Sequence, residues 1–204
     1  MRYFTRLTAP ALLALSLALA PHSGVAETLD LQDPVAVETL SKSKQTEAGL
    51  YITAAEAGRV LAEKDNVALI DVRTPSETML IGYPVPAAAN IPSKLVDPDL
   101  EFNAKKGVYK MVDNPTYVAE MQAWLASDAA EGVDTLMIMC RSGSRSAAAI
   151  GKLLEAGVDV ALYNVVDGFE GDKNEDGVRA VNGWRNAGLP WTYKLREGLW
   201  PGHN

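Results

Sequence analysis

Cysteine is almost absent from this chain. Cys140 is the only one in 204 residues, so no intramolecular disulfide can form, and its thiol either stays free or reacts with another molecule. Histidine is nearly as scarce. His22 lies near the N-terminus and His203 is the penultimate residue, which leaves no Cys–His pair of the papain kind and no Cys/His zinc set. Long apolar runs are missing too: Ala11–Ala20 falls well short of the roughly 20 residues that span a bilayer. That stretch follows a basic start at Arg2 and Arg6 and precedes Gly24-Val25-Ala26, the layout of a secretory signal peptide over residues 1–26. No cysteine follows it to accept a lipid, so the expected location is periplasmic or secreted, with no stable membrane association after cleavage. Basic residues are outnumbered, 19 Lys and Arg against 26 Asp and Glu. Setting aside residues 1–26, which hold two arginines and no acid, leaves 17 against 26 and a net charge of −9, a poor match for nucleic acid. No internal repeat appears, and the remaining 178 residues suffice for one domain with a core and tails.

What is present is concentrated in Leu136-Met137-Ile138-Met139-Cys140-Arg141-Ser142-Gly143-Ser144-Arg145-Ser146. Large apolar residues run up to the thiol, and small and basic residues follow it. Ala147–Ala156 then carries apolar residues at helical spacing, with Gly157 as a stop, so the order is strand, tight loop, helix. First-turn amides of a helix lack internal partners and present the positive end of its dipole. A cysteine beside such donors, with Arg141 and Arg145 close by, is suited to react as a thiolate, and Gly143 lets the backbone curl around an anion.

The segment Cys140–Ser146 resembles the active-site loop of rhodanese-family sulfurtransferases. In that family the cysteine takes a sulfane sulfur from a donor such as thiosulfate, holds it as a persulfide and passes it to cyanide or a thiol. The resemblance implies that Cys140 is catalytic and that Arg141, Ser142, Gly143, Ser144, Arg145 and Ser146 bind substrate, with the amides of the six-residue loop Cys140–Arg145 facing the persulfide. It also implies an α/β fold, a doubly wound parallel sheet of about five strands with helices on both faces. No metal or organic cofactor is implied. The partners would be a small-molecule sulfur donor and a thiol or cyanide acceptor, possible acceptors including a protein. In related enzymes an uncharged loop goes with mercaptopyruvate, so this basic loop leans toward thiosulfate.

The rest of the chain fits that frame. Residues 27–49 read as a loosely packed N-terminal extension, 50–195 as the rhodanese-like domain and 196–204 as a polar tail. Thr53-Ala54-Ala55-Glu56 has the spacing of a capping box. Asn66–Val72 reads as a strand buried on both faces. Its end, Asp71-Val72-Arg73, with Glu77 and Asn90-Ile91-Pro92, is similar to a second rhodanese signature, although Gly82-Tyr83-Pro84 stands where Gly-His-Ile is frequent. Here Arg73 is expected to pair with Glu77, and Asp71 to accept backbone N–H groups. Ser93–Asn114 is charged and turn-rich, an insertion over the active edge of the sheet. Asn114-Pro115 should cap the next helix, with Val118, Met121 and Leu125 facing the core.

After a strand within Val158–Val166, Asp167-Gly168-Phe169-Glu170-Gly171 resembles the rhodanese segment in which an aromatic borders the pocket. Phe169 is either that wall or a core aromatic. Asp172-Lys173-Asn174-Glu175-Asp176-Gly177 begins like a calcium loop, but its twelfth position is Gly183, which leaves a solvated acidic turn as the expected state. Trp184 and Trp191 in the closing segment read as packing residues. Two other functions compete. A phosphatase or arsenate reductase uses Cys-x5-Arg, whereas here Arg145 arrives one position early and Ser146 takes that place. A non-catalytic or redox-sensing module has the same sequence features as the enzyme.

Overall fold

A computed structural model of the chain describes residues 28–202, so the signal peptide expected over residues 1–26 lies outside the described residues. The elements in chain order are β1 (Tyr51–Ile52), α1 (Ala54–Glu63), β2 (Val67–Asp71), α2 (Pro75–Ile81), β3 (Tyr83–Pro84), β4 (Ala87–Asn90), β5 (Lys94–Val96), β6 (Phe102–Asn103), β7 (Val108–Tyr109), β8 (Met111–Asp113), α3 (Tyr117–Leu125), β9 (Thr135–Met139), α4 (Ser144–Glu155), β10 (Ala161–Val165) and β11 (Trp191–Thr192). Strands β1, β10, β9, β2 and β4 hydrogen-bond in that order into one five-stranded parallel sheet. Every residue of β2, β9 and β10 is buried, as continuous apolar runs in a two-sided sheet require.

Alternation along those strands sorts the core into two layers. Leu69, Met137, Met139 and Tyr163 pack with Ala57 and Val60 of α1. Ile70, Leu136, Ile138 and Leu162 pack instead with Met121 and Trp124 of α3 and with Ile150 and Leu153 of α4. Helices therefore cover both faces, and the fold is α/β. Gly157 sits at φ +72° just past α4, the left-handed stop its position suggested. Thr53 caps α1 by accepting the Glu56 N–H at 3.2 Å. The Glu56 carboxylate does not turn back to complete a box; it accepts the Gln32 N–H at 2.5 Å and pairs with Arg59 at 2.6 Å.

Three segments depart from the sequence reading. The extension ahead of β1 is anchored rather than loose: the Leu29 N–H donates to the Tyr163 hydroxyl at 2.8 Å, and Lys44 pairs with Asp172 at 2.9 Å. Leu29 and Leu31 also pack on the α1 layer, so a few apolar side chains in a polar stretch suffice to dock it. The segment after residue 195 is packed as well. Leu199 is buried in the core, and its carbonyl accepts the Asn90 N–H at 2.6 Å on the open side of β4, closing that edge of the sheet. The insertion forms a two-tier arm, β5 pairing with β8 and, beyond them, β6 with β7, both antiparallel. Phe102 and Tyr109 meet edge to face at its tip, with ring centroids 6.0 Å apart.

Candidate active site

Parallel strands place their C-terminal ends on one side of the sheet, and loops from those ends surround a crevice. Asp71 closes β2, Asn90 closes β4, Cys140 directly follows β9, and Asp167 follows β10. Above them lies a cleft of about 650 Å³, lined by Cys140, Arg141, Ser142, Ser144 and Arg145, by Glu77, by Arg179, and by the arm from Lys94 to Met111. Cys140 is 1% exposed, yet its surface belongs to the cleft wall. The cysteine is thus at once the last member of a core layer and the inner wall of the site.

The loop around the sulfur is tightly determined. Gly143, at φ +95°, stands where an added Cβ would lie 2.2 Å from the Val166 carbonyl oxygen, so both the turn and the close approach require glycine. Its N–H points at the Cys140 Sγ, 3.2 Å away. The Ser146 hydroxyl lies 3.4 Å from the same sulfur and donates to the Asn164 Oδ1 at 2.6 Å. Asn164 in turn donates to the carbonyls of Gly143, at 3.1 Å, and Lys44, at 2.8 Å. From the other side, Gly168 approaches so closely that a Cβ would sit 2.5 Å from the Cys140 carbonyl oxygen. The Phe169 and Glu170 N–H groups donate to the carbonyls of Cys140 and Arg141 at 2.8 and 3.0 Å. With the loop carbonyls engaged from outside, and with a glycine at the N-cap of α4 that offers no capping side chain, amides at the start of α4 remain for a ligand.

The acidic and basic residues pair differently from expectation. Arg73 does not pair with Glu77. It is fully buried and binds Asp71, with Nη2 to Oδ2 at 2.6 Å and Nε to Oδ1 at 3.0 Å. Asp71 also accepts the Arg73 N–H at 3.0 Å, which is the backbone contact foreseen for it. The Arg73 guanidinium lies over the Phe169 ring, 4.0 Å from its centre, and donates to the Gly82 carbonyl at 2.9 Å. Phe169 is therefore a core aromatic under the site and not a wall of the cleft. Asn90 donates to the carbonyls of Asp71 and Arg73, at 2.8 and 2.7 Å, and holds the loop after β2.

Glu77 belongs to Arg145 instead, through two parallel contacts of 2.7 and 2.5 Å. Burial works against its charge, but the Arg145 fork, the Thr74 N–H and the nearby Arg73 outweigh it and hold its carboxyl at about 2. The same carboxylate completes a capping box on α2 with Thr74, accepting that residue's N–H at 3.0 Å. Arg145, expected to attract an anionic donor, has its charge committed to this pair. Arg141 is 44% exposed, with the nearest Glu170 oxygen 3.9 Å away. On the arm, Lys94 pairs with Asp113 at 2.6 Å and Lys110 pairs with Glu101.

Two participants escaped the sequence reading. Asn164 was visible as a lone polar residue inside an otherwise apolar strand, which demands a buried partner. Arg179 lies 39 residues beyond the thiol, and nothing local marks it. Nor do Asp172 and Asn174 stand free to hold a cation. Asp172 is taken by Lys44 and Asn182, and Asn174 accepts the Val178 N–H at 2.9 Å. Among the described residues no group of three or more His, Cys, Asp or Glu gathers as metal ligands would.

A family model described as Rhodanese-like domain matches residues 53–175, which include both signature segments and the cysteine loop. A protein of Rickettsia prowazekii (strain Madrid E), RP600, described as uncharacterized, is 31% identical over 143 residues, covering 70% of this chain and 96% of its own length. A second uncharacterized protein, RC0915 of Rickettsia conorii, is 28% identical over 142 residues with the same coverage. Among solved structures, Rv0390 from M. tuberculosis superposes with a TM-score of 0.50 at 28% identity, across 70% of this chain and 96% of that one. With the parallel sheet, the thiol at the end of β9 and the signatures on either side of it, the chain belongs to the rhodanese-like domain family.

Proposed function

We propose that this chain is a sulfurtransferase of the thiosulfate type, moving a sulfane sulfur to a thiophilic acceptor through a persulfide on Cys140. The observation that carries the reading is the Cys140 sulfur at a cleft wall, 3.2 Å from the Gly143 N–H, where a six-residue loop enters α4. In the first half-reaction the Cys140 thiolate bonds to the outer sulfur of thiosulfate, the donor S–S bond breaks, and its electron pair leaves with sulfite. The new outer sulfur lies about 2 Å beyond Sγ, farther into the cleft, and its negative charge is favoured by N–H donors at the helix start. In the second, a thiolate or cyanide attacks that outer sulfur and Cys140 leaves as the thiolate. No histidine base is needed, because both nucleophiles react as anions.

The Arg145–Glu77 pair weighs against the phosphatase reading, since the arginine that would hold a tetrahedral oxyanion is directed to a carboxylate. The test is intact mass spectrometry after thiosulfate treatment. One added sulfur on Cys140, removable by a thiol reductant, is expected; an unmodified wild type, or the same gain on Cys140→Ser, defeats the proposal. Sulfite release measured beside hydrolysis of an aryl phosphate separates the two enzyme types. Export is part of the same proposal, and the N-terminal sequence of the protein recovered from its native cell tests it by showing whether residues 1–26 are present.

A further inference from the structure

The turn that begins like a calcium loop ends at a residue inside the cleft. Asn174 and Val178 exchange main-chain contact through the Asn174 N–H and the Val178 carbonyl at 2.8 Å, the Asn174 side chain accepts the Val178 N–H, and Lys173 bridges Arg179 in antiparallel fashion. Asp172, at the base, is tied to Lys44 and Asn182. This tight hairpin leads the chain out and back, and the residue it returns is Arg179. The guanidinium donates to the Gly171 carbonyl rather than to a carboxylate, and it lines the same cleft as Cys140 and Arg141.

The two guanidiniums on this wall repel each other, and an anion bound between them would relieve that repulsion. Arg179 is partly buried, and burial together with the charge of Arg141 lowers its affinity for its proton, while Glu170, Asp172 and Cys140 act in the other direction. Arg145 contributes no free charge to the ligand, since Glu77 occupies both prongs of its fork.

We propose that Arg141 and Arg179 together form the subsite for the sulfonate end of a doubly charged sulfur donor, with Arg179 setting the preference for dianions over monoanions. The assignment rests on the sulfurtransferase reading. In the transfer step the donor's S–S bond breaks as the Cys140–S bond forms, and the electron pair stays on the departing sulfite, whose charge the two guanidiniums face. A singly charged donor such as methanethiosulfonate undergoes the same exchange, releasing methanesulfinate, but offers one charge fewer to this wall.

Steady-state kinetics of wild type, Arg179→Lys and Arg179→Gln with thiosulfate and with methanethiosulfonate test the assignment. In Arg179→Gln the ratio of kcat/KM for thiosulfate over methanethiosulfonate should fall about tenfold, the loss appearing in KM, with Arg179→Lys in between. Equal losses with both donors, or an unchanged ratio, overturn it. A second measurement does not depend on turnover: by calorimetry, Cys140→Ser/Arg179→Gln should bind thiosulfate about tenfold more weakly than Cys140→Ser. Equal affinities, or no thiosulfate binding to Cys140→Ser, overturn the subsite. If wild type accepts sulfur from neither donor, the sulfurtransferase reading fails, and the binding comparison still decides whether this wall recognises a dianion.

Discussion

On one wall of the cleft Arg145 meets Glu77 through a two-pronged contact, with side chains 17% and 18% exposed; on the other, Arg141 is 44% exposed and its nearest carboxylate stands 3.9 Å off. The two arginines are four residues apart in the same loop, so residue type does not separate their roles. Position on α4 does. Arg145 lies in the first turn of the helix, where it reaches across to α2, whereas Arg141 precedes the helix beside the hairpin that carries Arg179. The first wall uses its charges to hold two loops together. The second keeps them for something that arrives from solvent. Cleft cations are therefore to be judged by whether a carboxylate already answers them, not by their number.

The largest effect belongs beneath the closed wall. Asp71→Ala leaves the fully buried Arg73 charge without its partner, which should lower unfolding free energy by about 3–5 kcal/mol in denaturant titration. A loss below about 1 kcal/mol would mean that stacking on Phe169 and the Gly82 carbonyl suffice for Arg73.

Next comes Glu77. Its carboxyl is held at about 2 in the folded chain against an ordinary 4.5, so the folded state binds fewer protons and the contribution is fully present above about pH 4.5. It fades as pH falls toward 2. The whole amounts to ~3 kcal/mol, and stability measured from pH 6 to pH 2.5 should show an acid limb that is flatter in Glu77→Gln. Parallel limbs in the two proteins would remove the charge pair as the support of this wall.

The smallest structural effect is expected on the open wall. Arg141→Gln should shift stability by no more than about 0.5 kcal/mol, as surface substitutions do, while weakening capture of thiosulfate in the sulfite-release assay. If Arg141→Gln unfolds the protein as readily as Glu77→Gln, the two walls do not differ in the way described.

Much of this was open to inspection in the residues themselves. Continuous apolar runs ended by Asp71 and Cys140 announced two-sided strands and put their C-termini at the site, because strands of that composition have no solvent face. The glycine, serines and helix after Cys140 announced the loop. Pairing was harder. Arg73 and Glu77 are four apart, the spacing of neighbours on a helix, but α2 begins only at Pro75, so Arg73 lies outside it and points inward. The signal for Glu77 was Thr74-Pro75-Ser76-Glu77, a capping box with proline at the first helical position. The place of Arg179 in the cleft, the pairing of β5 with β8 and the anchoring of both tails depend on contacts between residues far apart in the chain, where no local pattern reports them. The tail is the clearest instance: Arg196 and Leu199 bind β4 from more than a hundred residues away.

That last contact has a consequence for biosynthesis. The border of the sheet along β4 is covered by Arg196 and Leu199, which are made after every strand of the sheet, so a growing polypeptide that already possesses its reactive thiol and all five strands still displays bare main-chain groups there. Until Leu199 settles, a second nascent molecule has the same place to bind. Shortened forms ending before it are thus expected to stick to one another even when every part of the cleft has been synthesised.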